Sequence, residues 1–369
     1  MTVTVLSLSK NGYAPGQMMR IEKMATKLDE KLELTLPKGF TVRGATMDDV
    51  EASLEMINLW TQKVIGEHEL VDAEILRNDW ISPGFDPAED IRLVFAADGT
   101  LVGYVEAWTT TKPPVHPWIW GRVHPDYEGL GVGSWMLGWA EEHVLSAMDE
   151  LPSDLRFAPR VGAVSQANGS HKLFDDFGYR YLRSSYRMRI NLEAPPQAPV
   201  WPEELTIRTY NPETDLDAVY RTDQDVFRDH FGFIEEPYEE GLARFKHHLT
   251  EYEDFDPSLW FIAWDGDEVA GICLCRPHSY EDPDIGHVSV LGVRRPWRKR
   301  GLGLAFLQHA FGEFYRRGKH KVSLGVDAEN LTGALRLYEK AGMHIHMQFD
   351  MFEKEIRPGK EISVQSLGD

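Results

Sequence analysis

The chain spells out one structural plan twice. A short alternating strand ending in arginine opens each half: FTVR, closing at Arg43, and LTIR, closing at Arg208. Each strand passes through a turn with aspartates (Asp48 and Asp49; Asp215 and Asp217) into a run of helical period. Both halves then carry a hairpin. LVFAADGTLVGYVEAW turns at Asp98-Gly99 and LWFIAWDGDEVAGICLC at Asp265-Gly266. Asp-Gly between alternating apolar runs is a strong hairpin signal. A strand, a glycine-rich turn and a helix follow, as WIWGRVHPDYEGLGVGSWMLGWAEEHV and as VSVLGVRRPWRKRGLGLAFLQHAFGEFYRR. A strand, an asparagine and a helix ending in glycine complete each copy, VGAVSQANGSHKLFDDFGYRYL and VSLGVDAENLTGALRLYEKAGMHI. The spacing is nearly constant: 165 residues from Arg43 to Arg208, 170 from Gly131 to Gly301, 164 from Gly178 to Gly342. Unrelated domains would not keep that order. Between the copies lies APPQAPVWPEE, residues 194–204, with four prolines. Proline fixes φ and removes donors, so this stretch reads as an extended linker.

The predicted organisation is an N-terminal extension over 1–38, a first domain over 39–193, a linker over 194–203, a second domain over 204–358 and a tail over 359–369. Within the extension, GQMMRIEKMATKLDEKLEL reads as helical. Composition narrows the partners. Thirty-nine Lys and Arg against 59 Asp and Glu leave a net charge of −20. Such a field repels phosphate backbones and anionic lipid heads, so neither nucleic acid nor a membrane surface is an expected partner. No apolar run reaches the ~18 residues of a membrane span. The start, MTVTVLSLSKNG, shows no basic region or cleavage site, and a cytoplasmic protein is expected. The two cysteines, Cys273 and Cys275, cannot form a disulfide framework. At period two they share one face of a strand and read as core thiols; no metal site is expected.

Against this acidic background, Arg294, Arg295, Arg298, Lys299 and Arg300 crowd into seven residues just before Gly301-Leu302-Gly303. A strand, a glycine turn and a helix put free backbone N–H groups at a helix N-terminus, where the macrodipole favours anions. No Gly-Lys-Ser/Thr follows, so this is not a P-loop, and Gly-x-Gly-x-x-Gly is absent here.

Arg-x-x-Gly-x-Gly after a fourth strand resembles the acyl-CoA signature of the GNAT superfamily of N-acetyltransferases. The block from Asn330 through Tyr338 to Gly342 is similar to that family's last conserved segment. The resemblance covers roughly 40–192 and 204–356, a tandem GNAT. It implies an α+β fold of two layered domains, each a mixed, mainly antiparallel twisted sheet flanked by helices and splayed between its fourth and fifth strands. It implies acetyl-CoA as co-substrate. The backbone at Leu291 and Val293 would align the pantetheine arm. The amides of Arg298, Lys299, Arg300, Gly301, Gly303 and Leu304 would hold the pyrophosphate. Asn330 would contact the CoA arm, and Tyr338 would lie near the sulfur.

Direct attack by an amine needs a neutral nucleophile, a stabilised oxyanion and a protonated leaving thiolate. A backbone N–H of the Leu291–Val293 strand end suits the oxyanion. Tyr338, protonated at pH 7, suits the general acid, with packing against Leu331 and Leu335 as its plainer role. His287 is a candidate base; Glu281, Asp282 and Asp284 are rivals, and a water path without a dedicated base is an equal alternative. Phe227, His230 and Phe231 are candidates for the acceptor wall, or for aromatic core. The first copy departs from the pattern: Glu128 stands where Arg298 stands, and Phe174 where Tyr338 stands. A phenyl ring cannot donate a proton. The first copy is therefore expected to be non-catalytic, with Trp118, Trp120 and Trp135 able to fill its cleft; weak CoA binding and a share in the acceptor pocket are the alternatives. The expected activity is acetyl transfer to a primary amine of a small molecule by the second copy, in a monomer or homodimer. A non-catalytic acyl-CoA sensor and a protein or peptide N-acetyltransferase are the alternatives.

Overall fold

A computed structural model describes residues 35–66, 73–252, 254–279, 282–329 and 333–366. The helix expected in the N-terminal extension lies outside the described residues. Twelve strands form one sheet. The first copy supplies β1 (Thr41–Arg43), β2 (Ile91–Phe95), β3 (Leu101–Trp108), β4 (Trp118–Val123), β5 (Arg160–Val164) and β6 (Arg180–Asn191). The second supplies β7 (Thr206–Thr209), β8 (Trp260–Asp265), β9 (Glu268–Arg276), β10 (Ile285–Val293), β11 (Lys321–Asp327) and β12 (His344–Glu353). The order across the sheet is β1-β2-β3-β4-β5-β12-β6-β11-β10-β9-β8-β7. Among the described strands, β4–β5 and β10–β11 pair in parallel and the rest antiparallel. Both Asp-Gly hairpins form where the alternation places them.

The order contains an exchange that the repeat did not announce. The last strand of each copy completes the other copy's half. β12 lies against β5, with Phe349 opposite Val164 and Glu353 opposite Arg160. β6 lies against β11, from Lys321 opposite Asn191 to Asp327 opposite Ser185. The exchanged strands also pair with each other along their length. A half-buried ion network crosses this seam: Arg156 and Arg160 of the first copy bind Glu353 of the second, and Arg156 also binds Glu361.

Two helix layers sandwich the second-copy strands. On one face, helices Leu302–Arg316 and Ala334–Lys340 bury Phe306, Phe311, Phe314 and Tyr338 together with Cys273, Val288 and Leu324. On the other, Leu216–Phe227 and Tyr238–Thr250 bury Val219, Tyr220 and Phe245 with Ile272, Leu274 and Val290. Covered on both faces, β9 is apolar from Val269 to Cys275 instead of alternating with polar residues. The two cysteines are the free, buried thiols expected of one strand face, their sulfurs 3.8 Å apart. The linker lies on helix Leu302–Arg316, where Trp201 packs edge-on against Phe306 and His309. Each copy also opens with the same clasp, a two-bond arginine–aspartate pair: Arg43 with Asp49, and Arg208 with Asp215.

Candidate active site

The cleft in each copy begins where its parallel pair separates. In the second copy, β10 and β11 are paired from Ile285–Lys321 to Val288–Leu324 and then diverge. At that point β10 gains a residue: Val288 faces Cys275 and Val290 faces Leu274, so Ser289 is a β-bulge. A bulge leaves its residue unpaired and sharpens the strand's twist, and pairing with β9 then resumes from Val290 to Val293. Leu291 and Val293 follow it directly. Gly292, between them, meets the opposite helix layer; a Cβ there would fall 2.4 Å from Val226 Cγ2.

The glycine turn closes the outer end. Gly301 caps helix Leu302–Arg316 at φ +89°, a backbone that disfavours side chains. The side chain of Arg298 folds back beneath the turn. Its Nε donates to the Val293 carbonyl at 2.9 Å, and its Nη1 binds Asp229 at 3.2 Å. Asp229 also holds Arg295, and these two guanidiniums keep its carboxyl below the ordinary range. Arg294 pairs with Asp225 and Arg300 with Glu204. Thus three carboxylates, none singled out by the motif, arrange the basic run. Lys299 takes a left-handed backbone, φ +65°, where the first copy has Gly129 at +77°.

The expected catalytic groups lie on opposite faces of the sheet. Tyr338 is buried in the layer of Leu302–Arg316, with Leu291, Val293 and Leu337 packed against the same core. Burial, with a smaller contribution from Cys273, pushes its phenol up to about 12. His287 precedes Val288 and so points the other way. Its cross-strand neighbour is Arg276, and its Nδ1 lies 3.0 Å from Ser323 Oγ. Burial holds this imidazole well below its ordinary pKa, and the charges of Arg187 and Arg276 add to the effect, so it is neutral at pH 7. Among the rivals, Asp282 and Asp284 shape the preceding turn, Asp282 by accepting from the Asp284 N–H. Glu281 and Asn330 lie outside the described residues.

The three acceptor candidates separate into a pair and a single. Phe227 and His230 meet edge to face, centroids 4.6 Å apart. Phe231 turns toward the seam, under Arg183 at 3.8 Å and Arg160 at 5.1 Å. His230 and Phe231 line a cavity of about 180 Å³ with Asp229, Asp327 and the tail residues Val364 to Ser366. The tail is fastened there by Gly232 N–H to Val364 O and Val364 N–H to Phe233 O.

The first-copy cleft contradicts one expectation. It is not filled by tryptophans: it holds a cavity of about 620 Å³. Trp120 forms a wall of it, its ring 4.2 Å from the Arg122 guanidinium carbon and edge-on to Tyr104. Trp118 instead lies over Gly162, which has no side chain to obstruct it. Trp135 packs half-buried against the core of its own copy. Gly131 keeps the turn at φ +87°, but Glu128 is exposed at its mouth and Phe174 lines the cavity. β4 pairs with β3 without a bulge.

The sequence matches the acetyltransferase (GNAT) family over residues 54–179 and again over 217–343. The chain belongs to this family. A mycothiol acetyltransferase of Geodermatophilus obscurus is 31% identical over 262 residues, which cover 69% of this chain and 79% of the relative. Another from Salinispora arenicola is 31% identical over 256 residues, 68% of this chain and 76% of that one. Among solved structures, a GCN5-related N-acetyltransferase from Sphaerobacter thermophilus superposes with a TM-score of 0.75 at 34% identity, covering 90% of this chain and all of that chain. A tandem GNAT protein from the clavulanic acid biosynthesis pathway, 14% identical, shares the fold at a TM-score of 0.60.

As a tandem GNAT enzyme, the chain catalyses acetyl-CoA-dependent transfer of an acetyl group to an amine. The second-copy geometry fits that co-substrate: a separated strand pair, a bulge at its apex, and a cationic glycine turn on a helix N-terminus. Among the described residues no group of His, Cys, Asp and Glu has the geometry to hold a metal ion, and no helix is long and apolar enough to cross a membrane. Sequence reasoning missed Ser289 and Asp229. A signal existed for the first: His287 to Val293 is one residue longer than its counterpart, Trp118 to Val123.

Proposed function

We propose that the second copy carries the reaction and acetylates the primary amine of a small molecule by direct attack. The observation that carries this reading is the pairing of the Ser289 bulge with Tyr338, both without a counterpart in the first copy. The mycothiol acetyltransferase relatives support a small-molecule acceptor.

In this reading the amides of Arg298 to Leu304 hold the pyrophosphate, and Arg298 braces the turn through Val293 and Asp229. Asn330 contacts the CoA arm. The backbone of Leu291 and Val293 aligns the pantetheine and polarises the thioester carbonyl. The thioester threads the gap between β10 and β11, with His287 on one side and Tyr338 on the other. The amine arrives on the His287 side, walled by Phe227, His230 and Phe231. Its nitrogen forms the new C–N bond as the C–S bond breaks. The amine proton leaves toward His287, through water where the ring is out of reach. Tyr338 donates a hydrogen bond to the departing sulfur. A phenol near 12 facing a thiol of about 8.5 makes complete transfer uphill by roughly 3.5 pK units. Tyr338 therefore acts by stabilising the developing thiolate, and the proton balance closes with the one released by the amine.

The first copy, with Phe174 and no bulge, is non-catalytic in this reading. Tyr338→Phe tests the assignment. Turnover should fall by about 10²- to 10³-fold, while acetyl-CoA affinity measured by calorimetry stays within twofold. Unchanged turnover would remove Tyr338 from the mechanism and return the first copy to contention.

A further inference from the structure

The first-copy cavity contains a charged group that the second-copy cleft lacks. Arg122 lines it three residues beyond the last paired position of β4, Ile119 opposite Val161, and is only 8% exposed. Its guanidinium is sandwiched between Trp60 at 4.0 Å and Trp120 at 4.2 Å. Nη1 donates to the Gly121 carbonyl at 2.9 Å, whereas Nε is buried with no hydrogen-bond partner. The counterpart of Arg122 is Gly292, with Val226 packed on it; in the first copy Trp60 occupies the place of Val226. The second copy thus fills this position with aliphatic packing, and the first builds an arginine clamp there. Glu106 is the opposite charge within reach, and its carboxyl already accepts the Tyr104 hydroxyl at 2.5 Å. Burial lowers Arg122 to about 9, which leaves it cationic at pH 7.

The outer end has the reverse polarity. Glu128 stands at the turn, and the cation there, Lys172, is paired with Asp176 at 2.6 Å. A polyphosphate head would meet a carboxylate where the second copy offers Arg298. Around these groups apolar side chains predominate, among them Val105, Ile119, Leu137, Val161 and Phe174, with Ser134, Gln166, Asn168 and Ser170 also lining the cavity. A buried cation with an unmet donor, a mainly apolar passage and an acidic mouth select a ligand with one anionic group and an uncharged body. We propose that the first-copy cleft binds a small apolar monocarboxylate, its carboxylate on Arg122 and its chain along the splay. This assignment is independent of where acetyl transfer occurs.

The test titrates the full chain with hexanoate, octanoate and decanoate, by calorimetry and by intrinsic fluorescence, since Trp60 and Trp120 flank the carboxylate position. One site per chain is expected, with affinity rising roughly fourfold per methylene until the cavity is full. Hexylamine, with the charge reversed, should not bind. Acetyl-CoA should not displace the acid. Arg122→Gln should weaken octanoate at least tenfold and leave acetyl-CoA affinity unchanged. Phe174→Trp keeps the arginine and shortens the passage, so decanoate should weaken more than hexanoate; this variant decides the matter if Arg122→Gln fails to fold. The proposal is overturned by any of four results: no signal at millimolar octanoate, octanoate binding that survives Arg122→Gln in a folded variant, equal binding of hexylamine, or a second equivalent of acetyl-CoA that octanoate displaces.

Discussion

Gly131 and Gly301 hold almost the same backbone, φ +87° and +89°, and open helices of 17 and 15 residues. The clefts above them nevertheless differ in chemistry. In the second copy the turn is braced by Arg298, the strand carries a bulge and the far wall ends in a phenol. In the first, the turn carries an exposed glutamate, the strand is regular and the wall ends in a phenyl ring. Duplication has kept the elements that fold, namely strand pairing, turn and helix cap. The groups that meet a ligand have diverged. Glycine at a positive φ is thus evidence of a turn, and the side chains around it decide what the turn can hold.

The largest effect should come from breaking the exchange that joins the copies. Removing β12 by ending the chain after Met343 strips the first copy's half of the strand beside β5 and uncovers β6. It also removes Glu353, leaving Arg160 buried without its carboxylate. Such a chain should not fold to a soluble form, although every first-copy residue is present. Calorimetry of the intact chain should accordingly show one unfolding transition. Two transitions, or a folded chain ending at Met343, would mean that the halves are independent.

This exchange also marks the limit of what the sequence made legible. Both hairpins, both glycine turns and the final helices were readable, because Asp-Gly, alternation and glycine placement are local signals. Tyr338 and Phe174 could be aligned for the same reason. The exchange was not readable. β6 and β12 are equivalent strands at equivalent positions, and each has the same apolar pattern whether it folds onto its own copy or the other. Asp229 was hidden because it reaches Arg295 and Arg298 from 66 and 69 residues away. That Arg122 turns inward between two tryptophans is likewise visible only in the structure.

The next effect in size concerns the bulge. Deleting Ser289 should give β10 the regular pairing of β4 and move Leu291 and Val293 out of line with the gap. Turnover should drop by about 10²-fold or more, the cost of misplacing reacting groups by about 1 Å. Stability should change less, because the regular ladder of β3 and β4 shows that the fold tolerates the shorter strand. Retained turnover would detach the bulge from the chemistry and weaken the contrast between the copies.

A smaller effect should follow from exchanging the turn residues. Arg298→Glu reproduces the first-copy side chain in the second. It removes the bond to Val293 and places a carboxylate near Asp229. Those bonds exist with and without ligand and bear on the turn itself; affinity falls because a carboxylate now stands beside the pyrophosphate position, and acetyl-CoA should bind roughly ten- to a hundredfold more weakly. The reciprocal Glu128→Arg should not create a second acetyl-CoA site, because the first copy has no equivalent of the braced run from Arg294 to Arg300. Two equivalents of acetyl-CoA bound to Glu128→Arg would show that one side chain separates the clefts.

The smallest effect tests a feature the copies share. The Arg43–Asp49 and Arg208–Asp215 clasps both hold their aspartate below the ordinary carboxylate range, chiefly through the arginine hydrogen bonds; Asp49 falls to about 2. A carboxylate whose folded pKa is depressed stabilises the fold fully above its unfolded value of about 3.9, and that contribution fades as pH falls toward 2. The arginines are 48% and 40% exposed, so solvent screening limits each clasp to about 1 kcal/mol. Asp49→Asn and Asp215→Asn should each lower stability by about that amount at pH 7, and the difference from the parent should shrink between pH 4 and pH 2. Because the sheet is continuous, either substitution should shift the same single transition by the same amount. A shift confined to one part of the unfolding curve would place a boundary within the sheet that the exchanged strands argue against.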